Sequence, residues 1–314
     1  MSNPWEQENS KSGLITLAPG HALHLNISGP IRQPSQPLVI IIPGHASGAT
    51  EWAAVNRLVS HFARVMLYDR SGYGLSTEAP GHVTAVSMAV ELNSLLHAIN
   101  ISGPFVLICH SYGGVISREF LNLSTHDVSG IIFVDANQEQ HTIQNPSPDY
   151  FINTISQGLD FCSVTGLNKN HKLLPAEWQA YLDDQSTEKR GRVAAAEAAG
   201  YRESGPVLAA KKQLHTTPPL LGNRPICVLK GQTHRDFENI LEAGSNAGNG
   251  TDEERKSFRE WLRTYDSKDE IWQREMLSLS NRSRWTTASK SGHNIQLTEP
   301  GLIIDALRWV LDNI

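Results

Sequence analysis

The stretch Val106-Leu107-Ile108-Cys109-His110-Ser111-Tyr112-Gly113-Gly114, residues 106–114, holds an apolar run, one serine and two glycines in that order. A run that is apolar at every position suits a strand buried on both faces of a parallel sheet. The glycines open a helical pattern over 112–123, so the serine falls on the bend between strand and helix. A serine hydroxyl is a poor nucleophile unless it is held exposed beside a base, and a tight, strained bend does this. Strand and helix nearly touch at such a bend, which asks for small neighbours. Gly113 supplies one and the compact thiol of Cys109 the other. The plainer alternative is a serine that only caps the helix.

The same pattern recurs on both sides of this stretch. Residues 37–44 (PLVIIIPG), 64–69 (RVMLYD), 130–135 (GIIFVD) and 225–231 (PICVLKG) are apolar runs closed by glycine or aspartate. Residues 14–18 and 22–27 read as an antiparallel hairpin around Pro19-Gly20. A last strand is expected near 284–288. Helical patterns at 50–61, 84–99 and 112–123 alternate with the strands. The fold class is therefore α/β, a mostly parallel eight-stranded sheet with helices on both faces. Between about 139 and 222 the alternation stops. That stretch is polar and partly helical, and it is too long for a plain loop. It is expected to be a helical lid inserted after the sixth strand, dividing a core of 13–138 and 223–314. Residues 1–12 read as a loose tail and 244–251 (GSNAGNGT) as a flexible loop. Two amphipathic helices are expected near 252–264 and 268–279.

Composition narrows the function classes. The 314 residues carry a net charge of −5 with 19% charged side chains, and no basic stripe marks a nucleic-acid partner. Three cysteines, Cys109, Cys162 and Cys227, form neither a disulfide framework nor a zinc spacing. The polar start lacks the apolar core of a signal peptide, and no stretch is long and apolar enough to span a bilayer. A cytoplasmic location and small, mostly neutral partners are expected, and the large lid points to a hydrophobic small-molecule substrate. Gly72-x-Gly74 lacks the third glycine of a dinucleotide site, and His234-Arg235-Asp236 is too sparse for a metal centre. Neither a cofactor nor a metal is implied.

With its flanking strands, Cys109-His110-Ser111-Tyr112-Gly113-Gly114 resembles the nucleophile elbow of the α/β-hydrolase superfamily, with Cys109 where glycine is usual. The likeness covers roughly 14–138 and 223–314. Within it, the chain is similar to the group whose sixth strand ends Val-Asp-Ala (here 134–136) and whose histidine stands in Ser291-Gly292-His293-Asn294-Ile295. The resemblance implies Ser111 as nucleophile and His293 as general base. It also implies an oxyanion hole made by the backbone amides of Tyr112 and His45. His45 follows Pro43-Gly44, where relatives usually carry His-Gly. Most relatives place the acid after the seventh strand, but Gly231-Gln232-Thr233-His234 has no carboxylate there. Asp135, at the tip of the sixth strand, is the preferred acid. Asp236 and Glu238 remain open.

Further residues carry weaker readings. Asp69, followed by Arg70-Ser71-Gly72-Tyr73-Gly74, is expected to order a loop. His110 is read as packing, since strand alternation turns it away from Ser111. Trp52 suits either pocket or core. Trp178, Tyr181 and Tyr201 are expected to close the lid over the site. The implied chemistry is acyl transfer to Ser111 followed by hydrolysis of an ester, thioester or lactone. Non-hydrolytic acyl transfer, cyclisation, carbon–carbon cleavage and a receptor with a vestigial triad are the alternatives.

Overall fold

The computed structural model describes residues 3–144 and 149–314. Eight strands form one sheet in the order β1-β2-β4-β3-β5-β6-β7-β8. They are β1 (Ser10–Ala18), β2 (His21–Ser28), β3 (Leu38–Ile42), β4 (Val65–Tyr68), β5 (Phe105–His110), β6 (Val128–Val134), β7 (Ile226–Lys230) and β8 (Ser283–Thr287). β1–β2 and β2–β4 pair antiparallel, and every other neighbour is parallel. The chain is thus α/β with a mostly parallel sheet, as its alternating apolar runs require.

Strand alternation divides the core into two layers. Leu38, Ile40, Ile42, Leu107 and Cys109 face one layer, which contains residues of α3 (Ala85–Ala98) and α4 (Gly113–Ser124). Val39, Ile41, Val106 and Ile108 face the other, which contains residues of α2 (Ala53–Val59) and α14 (Pro300–Leu311). Both faces of β3 and β5 are fully buried, which is why these segments are apolar at every position. β5 lies between β3 and β6, with Cys109 opposite both Ile42 and Phe133. Its carboxyl end therefore opens where the loop after β3 and the tip of β6 converge, the ordinary binding edge of a parallel sheet.

The helical insertion after β6 carries α5 (Gln140–Ile143), α6 (Asp149–Ser156), α7 (Phe161–Val164), α8 (Leu167–Asn170), α9 (Pro175–Gln185) and α10 (Glu188–Ala209). After β7 come α11 (Thr233–Asn246) and α12 (Asp252–Glu275). α13 (Ile295–Thr298) follows β8 and precedes α14.

Three sequence expectations are corrected. The supposed loose tail holds α1 (Pro4–Gln7), and β1 already starts at Ser10. Asn3 caps α1 through the Trp5 amide and also donates to the Ile99 and Asn100 carbonyls, while Arg64 binds the Trp5 and Glu8 carbonyls. Long-range polar contacts hold a segment whose composition looks like a tail. The expected loop 244–251 is shorter, because α11 runs through Asn246. The two helices expected over 252–279 are one helix, α12, closed by a 3₁₀ turn at Met276–Leu279. No glycine or proline interrupts α12, and its buried Phe258, Tyr265 and Trp272 keep a helical spacing across the supposed gap.

Candidate active site

Ser111 stands between β5 and α4 with φ of 51°, a left-handed conformation for a residue with a side chain. Such a conformation costs about 1–3 kcal/mol and persists only where its surroundings enforce it. Here the Ser111 carbonyl accepts from Gly114 N at 2.9 Å and Asn137 N at 2.8 Å, while its amide donates to Val134 O at 3.4 Å. A Cβ at position 113 would overlap the Ile42 carbonyl oxygen, so glycine is what lets α4 start against β3. Cys109, where small size is needed, is fully buried and its Sγ reaches Ile132 O at 3.5 Å. Burial pushes its thiol up to about 12, so at neutral pH it is protonated and no rival nucleophile.

Asp135, also left-handed with φ of 41°, ends β6 and turns its carboxylate toward the loop after β8. Its Oδ2 lies 2.7 Å from His293 Nδ1 and accepts from the Thr233 hydroxyl. Its Oδ1 accepts from Gly231 N at 2.8 Å and Gln273 Nε2 at 2.9 Å. Burial alone would raise the carboxyl pKa. The hydrogen bond and charge of His293, with the Thr233 and Gln273 donors, outweigh it and hold Asp135 well below the usual carboxylate range. The turn after β7, which has no carboxylate of its own over 231–234, thus contributes donors to Asp135.

Asp236 takes a different position. Its Oδ2 accepts the backbone amide of His293 at 2.8 Å, and Gly292 leaves room for that approach. Burial raises the Asp236 pKa. The exposed Glu238 lies on the outer side of α11 beside Leu241 and Arg259. Of the three candidate acids, only Asp135 meets the imidazole nitrogen. Burial would lower the His293 pKa, but the Asp135 hydrogen bond and charge prevail, helped by Asp236 and Asp269, and the pKa is raised. The Ser111 hydroxyl and the His293 ring are both at this edge but are not hydrogen-bonded to each other among the described residues. Such bonds are often long before substrate binds.

His110 packs as expected, edge-on to Trp52 at 6.2 Å, but it also touches the site. Its ring lies 4.5 Å from that of His293, and its Nε2 donates to His293 O at 3.0 Å. Burial drives its pKa down to about 3, so it stays neutral. Trp52 is fully buried core. Asp69 orders its loop, accepting from the Ala49 and Leu75 amides at 3.4 and 3.3 Å.

The two expected oxyanion donors are Tyr112 N, next to the serine in the chain, and His45 N, next to Gly44, at which an added Cβ would meet the Ser111 Cβ. Tyr112 is the N-cap of α4, so its amide precedes the helix and has no intrahelical acceptor. In the loop after β3, Ala46 N and Ser47 N are engaged by Glu197 Oε2 at 2.9 Å and Gly44 O at 3.3 Å. The His45 amide has no protein acceptor among the described residues. Tyr201 of α10 lies 4.8 Å from the Tyr112 ring and 6.2 Å from that of His45, and Asn137 Nδ2 donates to its hydroxyl at 2.7 Å. Of the three aromatics expected over the site, it alone contacts these residues. Trp178 and Tyr181 instead stack at 5.0 Å and pack with Ala54 and Leu297.

Gln273, Thr233 and Glu197 carry no sequence signal of their own, because each acts across more than 95 residues of chain on a partner fixed only by the fold. No group of three or more His, Cys, Asp or Glu side chains placed to hold a metal occurs among the described residues, nor any helix long and apolar enough to cross a membrane.

The family model described as "Alpha/beta hydrolase family" matches residues 39–306. The chain is 35% identical over 329 aligned residues to an "AB hydrolase superfamily protein" of Gibberella zeae, covering 99% of each sequence. It therefore belongs to the alpha/beta hydrolase family. Solved structures share the fold at low identity. A thermophilic esterase from Thermogutta terrifontis superposes with a TM-score of 0.60 at 19% identity, covering 96% of this chain and 98% of that one. The epoxide hydrolase CorEH superposes with a TM-score of 0.61 at 14% identity, covering 96% and 99%. One architecture thus hosts different reactions, and side chains must discriminate between them.

Proposed function

We propose that the chain is a serine hydrolase that cleaves an ester, thioester or lactone of a hydrophobic small molecule through an acyl-enzyme. Ser111 Oγ attacks the carbonyl carbon while its proton passes to His293 Nε2. Asp135, on the opposite ring nitrogen, fixes the tautomer and stabilises the imidazolium. The tetrahedral oxyanion is held by the amides of Tyr112 and His45. His293 then protonates the leaving alcohol or thiol. Water, deprotonated by the same imidazole, releases the acid and restores Ser111. The insertion, 139–222, serves as a lid over the acyl pocket. Three unpaired cysteines suit a reducing, cytoplasmic setting.

The observation that carries this reading is the 2.7 Å contact between Asp135 and His293 Nδ1, in a site whose strained elbow presents a hydroxyl. A neutral serine at that elbow favours acyl chemistry over epoxide opening, which needs a carboxylate nucleophile there. Labelling with a fluorophosphonate probe and turnover of p-nitrophenyl esters test it. Wild type is expected to label and turn over, and Ser111→Ala to do neither. Equal labelling of both proteins would end the assignment.

A further inference from the structure

We propose that helix α10 of the insertion acts as a clamp that holds the oxyanion loop 43–48 in its competent shape, with Glu197 and Arg190 as positioning residues. The proposal rests on the serine-hydrolase reading above. Ala46 follows His45 directly and has φ of 52°, a conformation an alanine rarely adopts. α10 takes both of its peptide groups' polar atoms. Glu197 Oε2 accepts Ala46 N at 2.9 Å, and Arg190 Nη2 donates to Ala46 O. A third contact from the same helix reaches the neighbouring residue, where the His45 ring nitrogen Nε2 donates to Ala194 O at 3.0 Å.

The clamp is tied into the core on its far side. Glu197 is fully buried and also accepts from Arg70 Nη2 at 2.7 Å and the Tyr73 hydroxyl at 2.5 Å. Arg70 in turn donates to Pro43 O at 2.8 Å and Gly44 O at 2.7 Å. Arg190 continues to Glu51 at 2.9 Å and Asp184 at 2.6 Å, and Ser47 Oγ donates to Glu51 at 2.6 Å. Backbone atoms of Pro43, Gly44 and Ala46 are therefore fixed by buried charged side chains, while the His45 amide between them is left free. The donor N–H lies in the Gly44–His45 peptide, whose carbonyl is held by Arg70, itself held by Glu197. An alanine released from α10 relaxes to negative φ, and without either hold the peptides on both sides of His45 turn. Docking of α10 thereby determines whether the second oxyanion donor points at the reacting oxygen. Removing one such donor typically slows catalysis about 10²–10³-fold.

Glu197→Gln keeps the shape but turns an amide NH₂ either toward Arg70 or toward both Ala46 N and Tyr73, so at least one donor loses its acceptor whichever way it flips. Arg190→Lys keeps the charge but loses the fork that reaches Ala46 O together with Glu51 and Asp184. Both variants are expected to slow fluorophosphonate labelling of Ser111, and kcat for a p-nitrophenyl ester, by about ten- to a hundredfold. KM should stay within about threefold, as for a contact that matters mainly in the transition state. Amide exchange across 43–48 should accelerate. Adding Ala46→Gly to Glu197→Gln should recover much of the lost labelling rate, because glycine adopts positive φ without being held there. A general loosening of the insertion would not be rescued at position 46. Unchanged exchange over 43–48, unchanged labelling in both variants, or failure of Ala46→Gly to restore any rate would overturn the clamp. A wild type that fails to label would overturn the hydrolase reading and the clamp's catalytic role with it, whereas a labelled wild type beside equally labelled variants overturns the clamp alone.

Discussion

His293 is pulled two ways. Burial disfavours its charged form, while the Asp135 hydrogen bond and charge favour it and prevail, so its folded pKa lies above the ordinary imidazole value. A base must be neutral to accept the serine proton, so the rate of fluorophosphonate labelling should climb with pH through a limb above about 6.5. Replacing Asp135 with Asn removes the charge and permits the wrong tautomer. The limb should move to lower pH and the plateau should fall by about 10⁴, the size seen when an acid of this kind is neutralised elsewhere. Asp236→Asn is expected to behave differently. Its side-chain oxygen still accepts the His293 amide, so the plateau should be largely kept and only a small downward shift of the limb should appear. Matching profiles for the two variants would contradict the division of labour between the two aspartates. The pair also makes stability depend on pH at both ends. The His293 contribution, from a raised pKa, is complete below about 6.5 and is lost as pH rises through the folded value. The Asp135 contribution, from a depressed pKa, is present above about 3.9 and is lost as pH falls toward the folded value.

Helix α4 starts where β3 leaves no room for a side chain. Gly113→Ala would drive a methyl group into the Ile42 carbonyl, and Pro43 O lies close behind. The helix must then shift, at a cost of about 1–3 kcal/mol or more. A lower urea midpoint together with lost labelling of Ser111 is expected, and an active, equally stable Gly113→Ala would refute the close-approach account. This elbow is legible in the sequence, because an apolar run, a serine and two glycines impose one local geometry. The parallel sheet was legible for a similar reason, since β3 and β5 are buried on both faces and are apolar throughout. Elements fixed by distant partners were not. α1 looks like a tail because Asn3, Arg64 and Arg32 hold it from across the chain. α12 looks like two helices because Asp266-Ser267-Lys268 is polar all round, although Lys230 Nζ binds Asp266 at 2.6 Å. The choice of acid lay between these cases. Asp135 could be placed at a strand tip from sequence, but the donors Gly231, Thr233 and Gln273 that complete its site arrive only with the fold.

The insertion is joined to the core by charge as well as by apolar packing of residues such as Leu208, Tyr181 and Ile155. Arg70–Glu197, Arg190–Glu51, Arg118–Glu139 and Lys211–Glu119 all bridge the two, and most of these groups are buried. Buried pairs gain little over apolar residues of similar size, because desolvation offsets the attraction, yet losing one partner strands a charge. Arg118 and Glu139 provide a test away from the proposed site. Arg118, fully buried on α4, meets Glu139 at the root of the insertion and takes a further acceptor, Gln213 Oε1, at 3.1 Å. Arg118→Met alone leaves the Glu139 carboxylate without its cation and should cost about 3–5 kcal/mol in urea unfolding. Glu139→Leu combined with Arg118→Met removes both charges and should recover most of that loss. If the insertion and core unfold as one unit, each variant should show a single transition that shifts along the urea axis with little change in slope. A separate, earlier transition in Arg118→Met alone would instead mean that the insertion detaches first. In that case loss of fluorophosphonate labelling should track the early transition, because the loop bearing His45 loses its contacts with α10 before the Asp135–His293 pair comes apart.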